Sequence, residues 1–456
     1  MQTINKSSGT IALALLAAAL SGPATAEQST YTLESRRARD VVDRVEASLE
    51  VGGDLNIVVD GKLEKMKMSV LANLTYHERS LEVPTSSDGP LRSVRYYENA
   101  LAVLQVDKSR LNPSLRDQRR LIGVEIDGPT VTLFSPQGTL TRDELDLVDV
   151  LGSSLLLDRL LPEKPLAVGG AWKHSETLLS VLLGLDAVGE AEVKSTLVAV
   201  TDGTARIEMS GRVAGTVSGA ATKIELKGKY HFNLNTGRIT WFGLLVQENR
   251  SVGHVETGFD VVARLQMKIS PLEQSPQLAD AALKGLSLKP TPELTALSYQ
   301  SPGGGWEFTH DRRWFIHSDQ GELAVLRLID RGDFVAQCKV SALPKKSPTD
   351  PTTLAEFQND VRHALGNSFE QFLEASQRAN EADYRVYRVV LQGKASELAV
   401  RWLYYLVTDQ EGRQVVLAFV FEEDLAARFE EADRSLVATL RLGDGTAESD
   451  SQGDPR

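Results

Sequence analysis

The sequence predicts an α+β protein of two domains: a mainly antiparallel β domain with two helices, then an antiparallel sheet with flanking helices. Three observations lead to this fold class. Apolar side chains recur at every second position over long stretches, capped helical segments interrupt them, and a Pro- and Gly-rich stretch separates the two halves. Aromatic residues concentrate in residues 299–442, which indicates two differently built cores.

Residues 1–26 are typical of an export signal. Lys6 supplies a positive start, an apolar run follows, and Ala24-Thr25-Ala26 offers small residues for cleavage before Glu27. The apolar run of about ten residues is short against the roughly 20 that span a bilayer, so a retained signal anchor is the weaker alternative. We expect a mature chain without a membrane span, in the periplasm or secreted.

Residues 27–270 form the predicted β-rich domain. Residues 45–51 and 66–76 alternate between apolar and mostly polar side chains, which is typical of strands with one covered face. Asp60-Gly61 and Asp127-Gly128 lie between apolar runs and suit tight hairpin turns. The same alternation returns between residues 189 and 269, so we expect long antiparallel meanders.

Two helices interrupt this domain. The first is predicted over Thr141 to Leu161, because Thr141 and Glu144 fit a capping box and Pro162 ends the segment; the second covers roughly Ser175 to Leu185. Helices that lie across a long sheet leave two outcomes open. Side chains fill the interior, or the sheet holds an apolar ligand.

Residues 271–304 are predicted to be a linker, with one short helix around Pro276 to Leu286 and a glycine run at its end. Residues 305–442 form the second domain. Residues 443–456 have almost nothing to bury, so we expect a disordered tail. Strands of the second domain are predicted at Trp314 to His317, Leu323 to Asp330, Phe334 to Ala342, Tyr384 to Gln392, Leu398 to Val407 and Gln414 to Phe421.

Two helices complete the second domain. Thr353 and Glu356 cap the first, whose apolar positions run from Leu354 to Phe372, and the second extends from Leu425 to Leu440. On the strand that follows Leu398, Trp402 and Tyr404 share a face that we expect to pack against a helix, and Tyr405 points the other way.

Residues 305–442 resemble the PsbP-like superfamily of α/β/α sandwiches. The resemblance depends on the element order and on Trp314, residues 327–332, the helix from Phe357 to Phe372, residues 401–405 and Arg428-Phe429. It implies an adaptor or assembly factor without a shared catalytic centre, and it assigns no functional residue. The first domain resembles, by layout alone, exported lipid-carrier folds such as the lipoprotein chaperone LolA.

Composition and motifs exclude several functions. With 62 Asp and Glu against 50 Lys and Arg, the net charge of −12 gives no electrostatic footprint for nucleic acid or an anionic membrane surface. The sequence has no Gly-x-Ser-x-Gly elbow and no phosphate-binding glycine loop. Cys338, the single cysteine, lies in an apolar strand; it cannot form an internal disulfide, and we expect it to be buried.

The other chemistry-bearing residues favour ordinary structural roles. His310, Asp311 and His317, and His254 with Glu256, are too few to define a metal site. Arg116, Arg119 and Arg120 are expected to be salt-bridged surface, with a partner contact as the alternative. The carboxylates at residues 422–424 and 430–431 fit the solvated side of the last helix.

We therefore assign no catalytic, cofactor-binding or metal residue and expect no cofactor. Our first hypothesis is an exported, non-enzymatic envelope protein that acts as a binding or assembly module for a protein partner. The alternative is a carrier of a lipid or other apolar ligand in the β-rich domain, and the third is a hydrolase whose site is assembled from distant residues.

Overall fold

The computed structural model describes residues 29–59, 61–84, 89–253, 257–303 and 305–443. The predicted signal segment, His254, Glu256 and the predicted tail after Gly443 lie outside the described residues. Among the helices that are described, none is long and apolar enough to cross a membrane.

The first domain is built on one long antiparallel sheet, as the period-two alternation predicts. Its strands, with the short pair β1 and β8, are β1 Thr30–Tyr31, β2 Val42–Val59, β3 Lys62–Glu82, β4 Leu91–Val106, β5 Ser109–Leu111, β6 Leu121–Asp127, β7 Thr130–Phe134, β8 Leu166–Ala167, β9 Ala171–Lys173, β10 Ala187–Thr201, β11 Thr204–Val217, β12 Ala220–Asn233, β13 Arg238–Arg250 and β14 Gly258–Leu272. The strand order is β7-β6-β4-β3-β2-β14-β13-β12-β11-β10-β9, with β5 beside β4.

The last long strand of this domain, β14, pairs with the first long strand, β2. β14 pairs with β2 from Gly258 opposite Asn56 to Leu272 opposite Val42, and this contact joins two meanders into one surface. The hairpins form where Asp-Gly pairs were found: β2 pairs with β3 up to Val59 opposite Lys62, and Gly128 takes a φ of +55° between β6 and β7.

Two helices, α1 Arg142–Val148 and α2 Glu176–Leu183, cover one face of this sheet, which we call the inner face. Their buried leucines share one hydrophobic core with the inward residues of the strands. The capping box between Thr141 and Glu144 is present, and Ser175 caps α2 by accepting the N–H of Leu178.

The prediction of one helix over Thr141 to Leu161 was wrong. α1 ends at Val148, and a 3₁₀ turn follows only at Leu157–Leu160. Gly152 takes a φ of +71°, and its N–H donates to the carbonyl of Leu182 on α2. A Cβ at this position would lie 2.7 Å from the Leu265 side chain. The apolar pattern continues across this break because the turn is as deeply buried as the helix.

The predicted linker contains ordered pieces. After β14, a 3₁₀ turn at Pro276–Leu278 and the short helices α3 Asp280–Leu283 and α4 Pro292–Thr295 lead into strand β15 Leu297–Gln300. Leu278 and Leu283 form a small buried cluster with residues of β4. β15 connects the two domains, because Leu297 is buried in the first core while β15 pairs with the first strand of the second domain.

The second domain contains an antiparallel sheet in the order β17-β18-β19-β23-β22-β21-β20 and a small sheet of β15, β16 and β24. Its elements are β16 Trp306–His310, β17 Trp314–Asp319, β18 Leu323–Asp330, β19 Asp333–Leu343, α5 Leu354–Leu365, β20 Phe369–Ala379, β21 Arg385–Ala395, β22 Leu398–Thr408, β23 Gln414–Glu422, α6 Ala426–Phe429, α7 Ala432–Thr439 and β24 Arg441–Leu442. Helices α6 and α7 pack on one face and α5 on the other. The two-domain α+β fold class is confirmed.

Two details of this domain were predicted wrongly. Phe369 and Phe372 do not continue α5 but begin the edge strand β20, where two register shifts place both rings against the Arg362 guanidinium at the end of α5. The last helix is divided at Glu430, which takes a φ of +50°. The six strands that the sequence predicted are present, with ends displaced by a few residues at most.

Candidate functional site

A cavity of about 810 Å³ lies between the inner face of the first sheet and the helices. Three neighbouring strands supply its apolar floor, and the C-terminal ends of α1 and α2 supply the opposite wall. Its apolar lining includes Leu49, Val51, Val70, Val261, Val181 and Leu183.

The cavity exists because the strands extend beyond their helical cover. On β2 the inward side chains of Val45 and Ala47 are buried in the core that the sheet shares with the helices, whereas the next two inward residues, Leu49 and Val51, are only half-buried. α2 ends at Gly184, which takes a φ of +66° and turns the chain away. Inward apolar side chains beyond this point therefore line an open space instead of a filled core.

An ion pair lies on the same inner face at one side of the cavity. Glu248 and Arg250 are two residues apart on β13, so both side chains point inward, and their charged groups are 2.7 Å apart. The Arg250 guanidinium also stacks over the Phe259 ring, 5.0 Å from its centroid. Both side chains of the ion pair are mostly buried. The ion pair therefore lies beside the apolar floor of the cavity, with each charge neutralised by its partner.

Asp149, the C-terminal cap of α1, supplies a carboxylate to the cavity wall. Its side chain is accessible to solvent, but the protein around the cavity desolvates it and raises its pKa above the ordinary value. The positive charges of Arg312, Arg95 and Arg142 act in the opposite direction from a distance. No described residue lies within hydrogen-bond or ion-pair distance of this carboxylate.

A second polar group lies wholly inside the first core. The Glu78 carboxylate accepts hydrogen bonds from Arg95 Nε at 2.7 Å and from the hydroxyls of Ser93 and Ser154 at 2.9 and 2.7 Å. Arg37, from the segment before β2, lies 3.6 Å from Glu78. Burial alone would raise the pKa of Glu78, but Arg95, Arg37 and these hydrogen bonds outweigh it and lower the pKa to about 2.

A cavity of about 790 Å³ lies near the start of α2 and is lined largely by loop residues, including charged side chains such as Glu163 and Lys173. At its edge His174 Nε2 is 2.8 Å from the hydroxyl of Ser195, which also contacts the Tyr230 hydroxyl at 3.0 Å. Ser195 is fully buried, and burial lowers the pKa of His174 to about 4. This arrangement satisfies buried polar groups and gives an incoming substrate no access to the hydroxyl.

The structure separates the predicted metal candidates. His310 is buried with Nδ1 2.8 Å from the carbonyl of Asp311, and burial lowers its pKa to about 4, whereas His317 is exposed. The described residues contain no group of three metal-ligating side chains. Cys338 is buried and free, and burial raises its pKa well above the ordinary value.

The basic and aromatic candidates have ordinary packing roles. Arg116 binds the buried carboxylate of Glu144 at 2.6 Å through two nitrogens, while Arg119 donates to the carbonyl of Thr139. Trp402 and Tyr404 face the core under α5, and Tyr405 lies in the opposite core.

The acidic runs near the last helix are partly paired. Glu423 forms an ion pair with Arg401 of β22, and Glu431 pairs with Arg434 at 2.7 Å. The described structure therefore gives both runs surface roles, as the sequence indicated.

The solved structures to which this chain is similar share little sequence with it. No protein-family model matches the chain, and no curated relative does either. The solution structure of cyanobacterial PsbP (CyanoP) from Synechocystis sp. PCC 6803 is 16% identical, covering 32% of this chain and 92% of that chain with a TM-score of 0.26. Lipovitellin is 11% identical, covering 53% of this chain and 26% of that chain with a TM-score of 0.30. A protein of Bacteroides thetaiotaomicron is 11% identical with a TM-score of 0.24, over 32% of this chain and 47% of that chain.

Proposed function

We propose that the protein binds an apolar or amphipathic small molecule in the cavity between the inner face of the first sheet and helices α1 and α2. The observation that carries this proposal is a space of about 810 Å³ with an apolar floor, next to a core in which the same strands are closely packed. Small-molecule sites in proteins have volumes of about 300–1,000 Å³ and mostly apolar linings.

The energetics favour an occupant. Leu49, Val51 and Phe259 leave apolar surface in contact with water when the cavity is empty. A buried methylene group contributes about 0.8 kcal/mol, so an alkyl chain of ten carbons has several kcal/mol available to offset the entropy of binding. An occupant thus replaces the side chains that a filled core would have supplied.

The proposal selects the carrier hypothesis over the protein adaptor, because the cavity is a feature that a small molecule fits. The adaptor hypothesis, the PsbP-like assignment of the second domain and the hydrolase hypothesis stay predictions. Export of the chain and a location in the periplasm or outside the cell belong to the proposal, with the sequence of residues 1–26 as their support.

A matched pair of substitutions tests the site. Val261 lines the cavity and is 6% exposed, while its neighbour Val262 points to the opposite face and is 48% exposed. Val261→Trp places an indole in the cavity, and Val262→Trp adds the same ring to the outer surface. We expect the first variant to bind the apolar fluorophore N-phenyl-1-naphthylamine at least about tenfold more weakly, the equivalent of about two lost methylene contacts.

The measurement is a fluorescence titration, with far-UV circular dichroism to show that each variant is folded. Val262→Trp should bind the fluorophore as the original protein does. Unchanged binding by folded Val261→Trp, or equal losses in both variants, would contradict the proposed site. A second pair, Val70→Trp inside and Leu71→Trp outside, repeats the comparison on β3 in case the first pair is unstable.

A further inference from the structure

The charges around the cavity are predominantly negative. Its lining contains four carboxylates, those of Asp146, Asp149, Asp186 and Glu248, and one guanidinium, that of Arg250. Because Arg250 is bound to Glu248, the ion pair contributes no net charge. A ligand head that enters this space therefore meets an excess of negative charge, which disfavours an anionic head.

Among these carboxylates Asp149 is the one placed to contact a ligand. Asp186 already accepts the backbone N–H of Ser218 at 2.5 Å. The Asp149 carboxylate has no hydrogen bond or ion pair from any described residue, although it is accessible through the cavity and desolvated by the surrounding protein. A desolvated carboxylate gains most from a partner that brings both positive charge and N–H donors.

The three arginines that act on Asp149 from a distance are held by other groups. Arg95 donates to Glu78, Arg312 donates to the backbone carbonyls of Thr295 and Leu133, and Arg142 donates to the carbonyl of Arg312. They reduce the local negative potential, but they leave the hydrogen-bonding sites of the carboxylate open.

We propose that the cavity selects amphipathic ligands whose head group is a primary amine, with Asp149 accepting the N–H groups of the ammonium. The apolar floor then holds the hydrocarbon part. This inference rests on the proposed function, because it names the ligand class of the same cavity.

The test compares three ligands of one chain length: dodecylamine, dodecanol and dodecanoate. Each is titrated at pH 7 against bound N-phenyl-1-naphthylamine, and displacement of the fluorophore gives its affinity. We expect the amine to bind most tightly and the carboxylate most weakly. In Asp149→Asn, the affinity for dodecylamine should fall about tenfold to a hundredfold, the range for a lost hydrogen bond to a charged group, while that for dodecanol changes less than about threefold.

Asp143→Asn is the control, because it removes the same charge from an exposed position in the first turn of α1, outside the cavity lining. Its effect on dodecylamine binding should stay below about threefold, since exposed charges interact weakly through water. Equal losses of dodecylamine affinity in both variants would mean that the negative charge acts from a distance, and would contradict a direct contact between Asp149 and the ammonium group. If all three ligands displace the fluorophore equally and Asp149→Asn changes nothing, the amine selectivity is wrong and the cavity proposal stands. If neither the fluorophore nor any of the three ligands binds, the proposed function itself fails.

Discussion

Replacing Glu78 with glutamine should destabilise the first domain strongly. The side chain is fully buried on the inner face of β3, and its carboxylate accepts hydrogen bonds from Arg95, Ser93 and Ser154. Glutamine has the same shape, so no void forms. The change leaves Arg95 without a counter-charge and leaves Arg37 with Asp158 alone, at 2.9 Å.

Two routes give the size of the effect. Removing one partner of a buried ion pair costs about 3–5 kcal/mol, because the remaining charge stays desolvated. The pKa of Glu78 is lowered from 4.5 to about 2, and this difference corresponds to about 3 kcal/mol of preference for the charged form in the folded state. Both routes predict that Glu78→Gln loses about 3 kcal/mol of unfolding free energy.

The direction of the pH dependence follows from the lowered pKa. A carboxyl group with a lower pKa in the folded state stabilises the fold above its unfolded pKa of about 4.5, and this contribution is lost as the pH falls from about 4.5 through 2. In the Glu78→Gln variant, this component of the acid dependence should be absent.

The assay is urea unfolding followed by circular dichroism, with hydrogen exchange of peptides from each domain to assign the transitions. Glu64→Gln is the matched control, because Glu64 lies on the same strand with an exposed side chain, and its change should stay within about 0.5 kcal/mol. A loss below 1 kcal/mol in Glu78→Gln, or an equal loss in the control, would contradict a stabilising role of the buried Glu78 carboxylate.

Three further predictions concern the second domain. The Cys338 thiol, with its raised pKa and complete burial, should react with a disulfide reagent only when the domain opens, and rapid stoichiometric labelling of folded protein would contradict this. Thr353→Ala removes the capping box of α5 and should lower the unfolding free energy by about 1 kcal/mol, with Thr353→Ser close to the original value; equal losses in urea unfolding would exclude the cap as the cause. A fragment of residues 298–443 retains its own two cores and should unfold cooperatively, whereas a fragment without a thermal transition would show that it depends on the first domain.

Sequence patterns predicted the strands well because the alternation of apolar and polar residues lies within each strand itself. The alternation from Met66 to Tyr76 survives in β3, whose inward residues are the predicted ones. That same alternation, extended two residues further, reaches Glu78 at an inward position, and this was the available signal for the buried ion pair.

Local sequence patterns gave the wrong secondary structure where a helix and another local conformation would bury the same residues. Leu151, Leu155 and Leu156 are covered in the turn after α1 as they would be in a helix, so their spacing did not reveal the break at Gly152. In β20, register shifts after Phe369 and after Phe372 disturb the period of two, and the two rings mimic helical spacing. The position of Asp149 at the cavity wall was missed because of the undetected break after α1. In a continuous helix this carboxylate would have lain on the solvent-exposed side.

The amino-acid sequence was enough to predict the fold class and the inward side chains of the long strands, and to show that familiar catalytic motifs are absent, since each is a property of neighbouring residues. Only the folded chain shows that α1 and α2 stop short of the end of the sheet and leave a cavity there. Its walls come from Leu49, Val70, Asp149, Leu183 and Val261, which lie far apart along the chain. Where these segments meet depends on how the helices pack on the sheet. The periodicity of apolar residues within a segment does not show how far the helices extend over the strands.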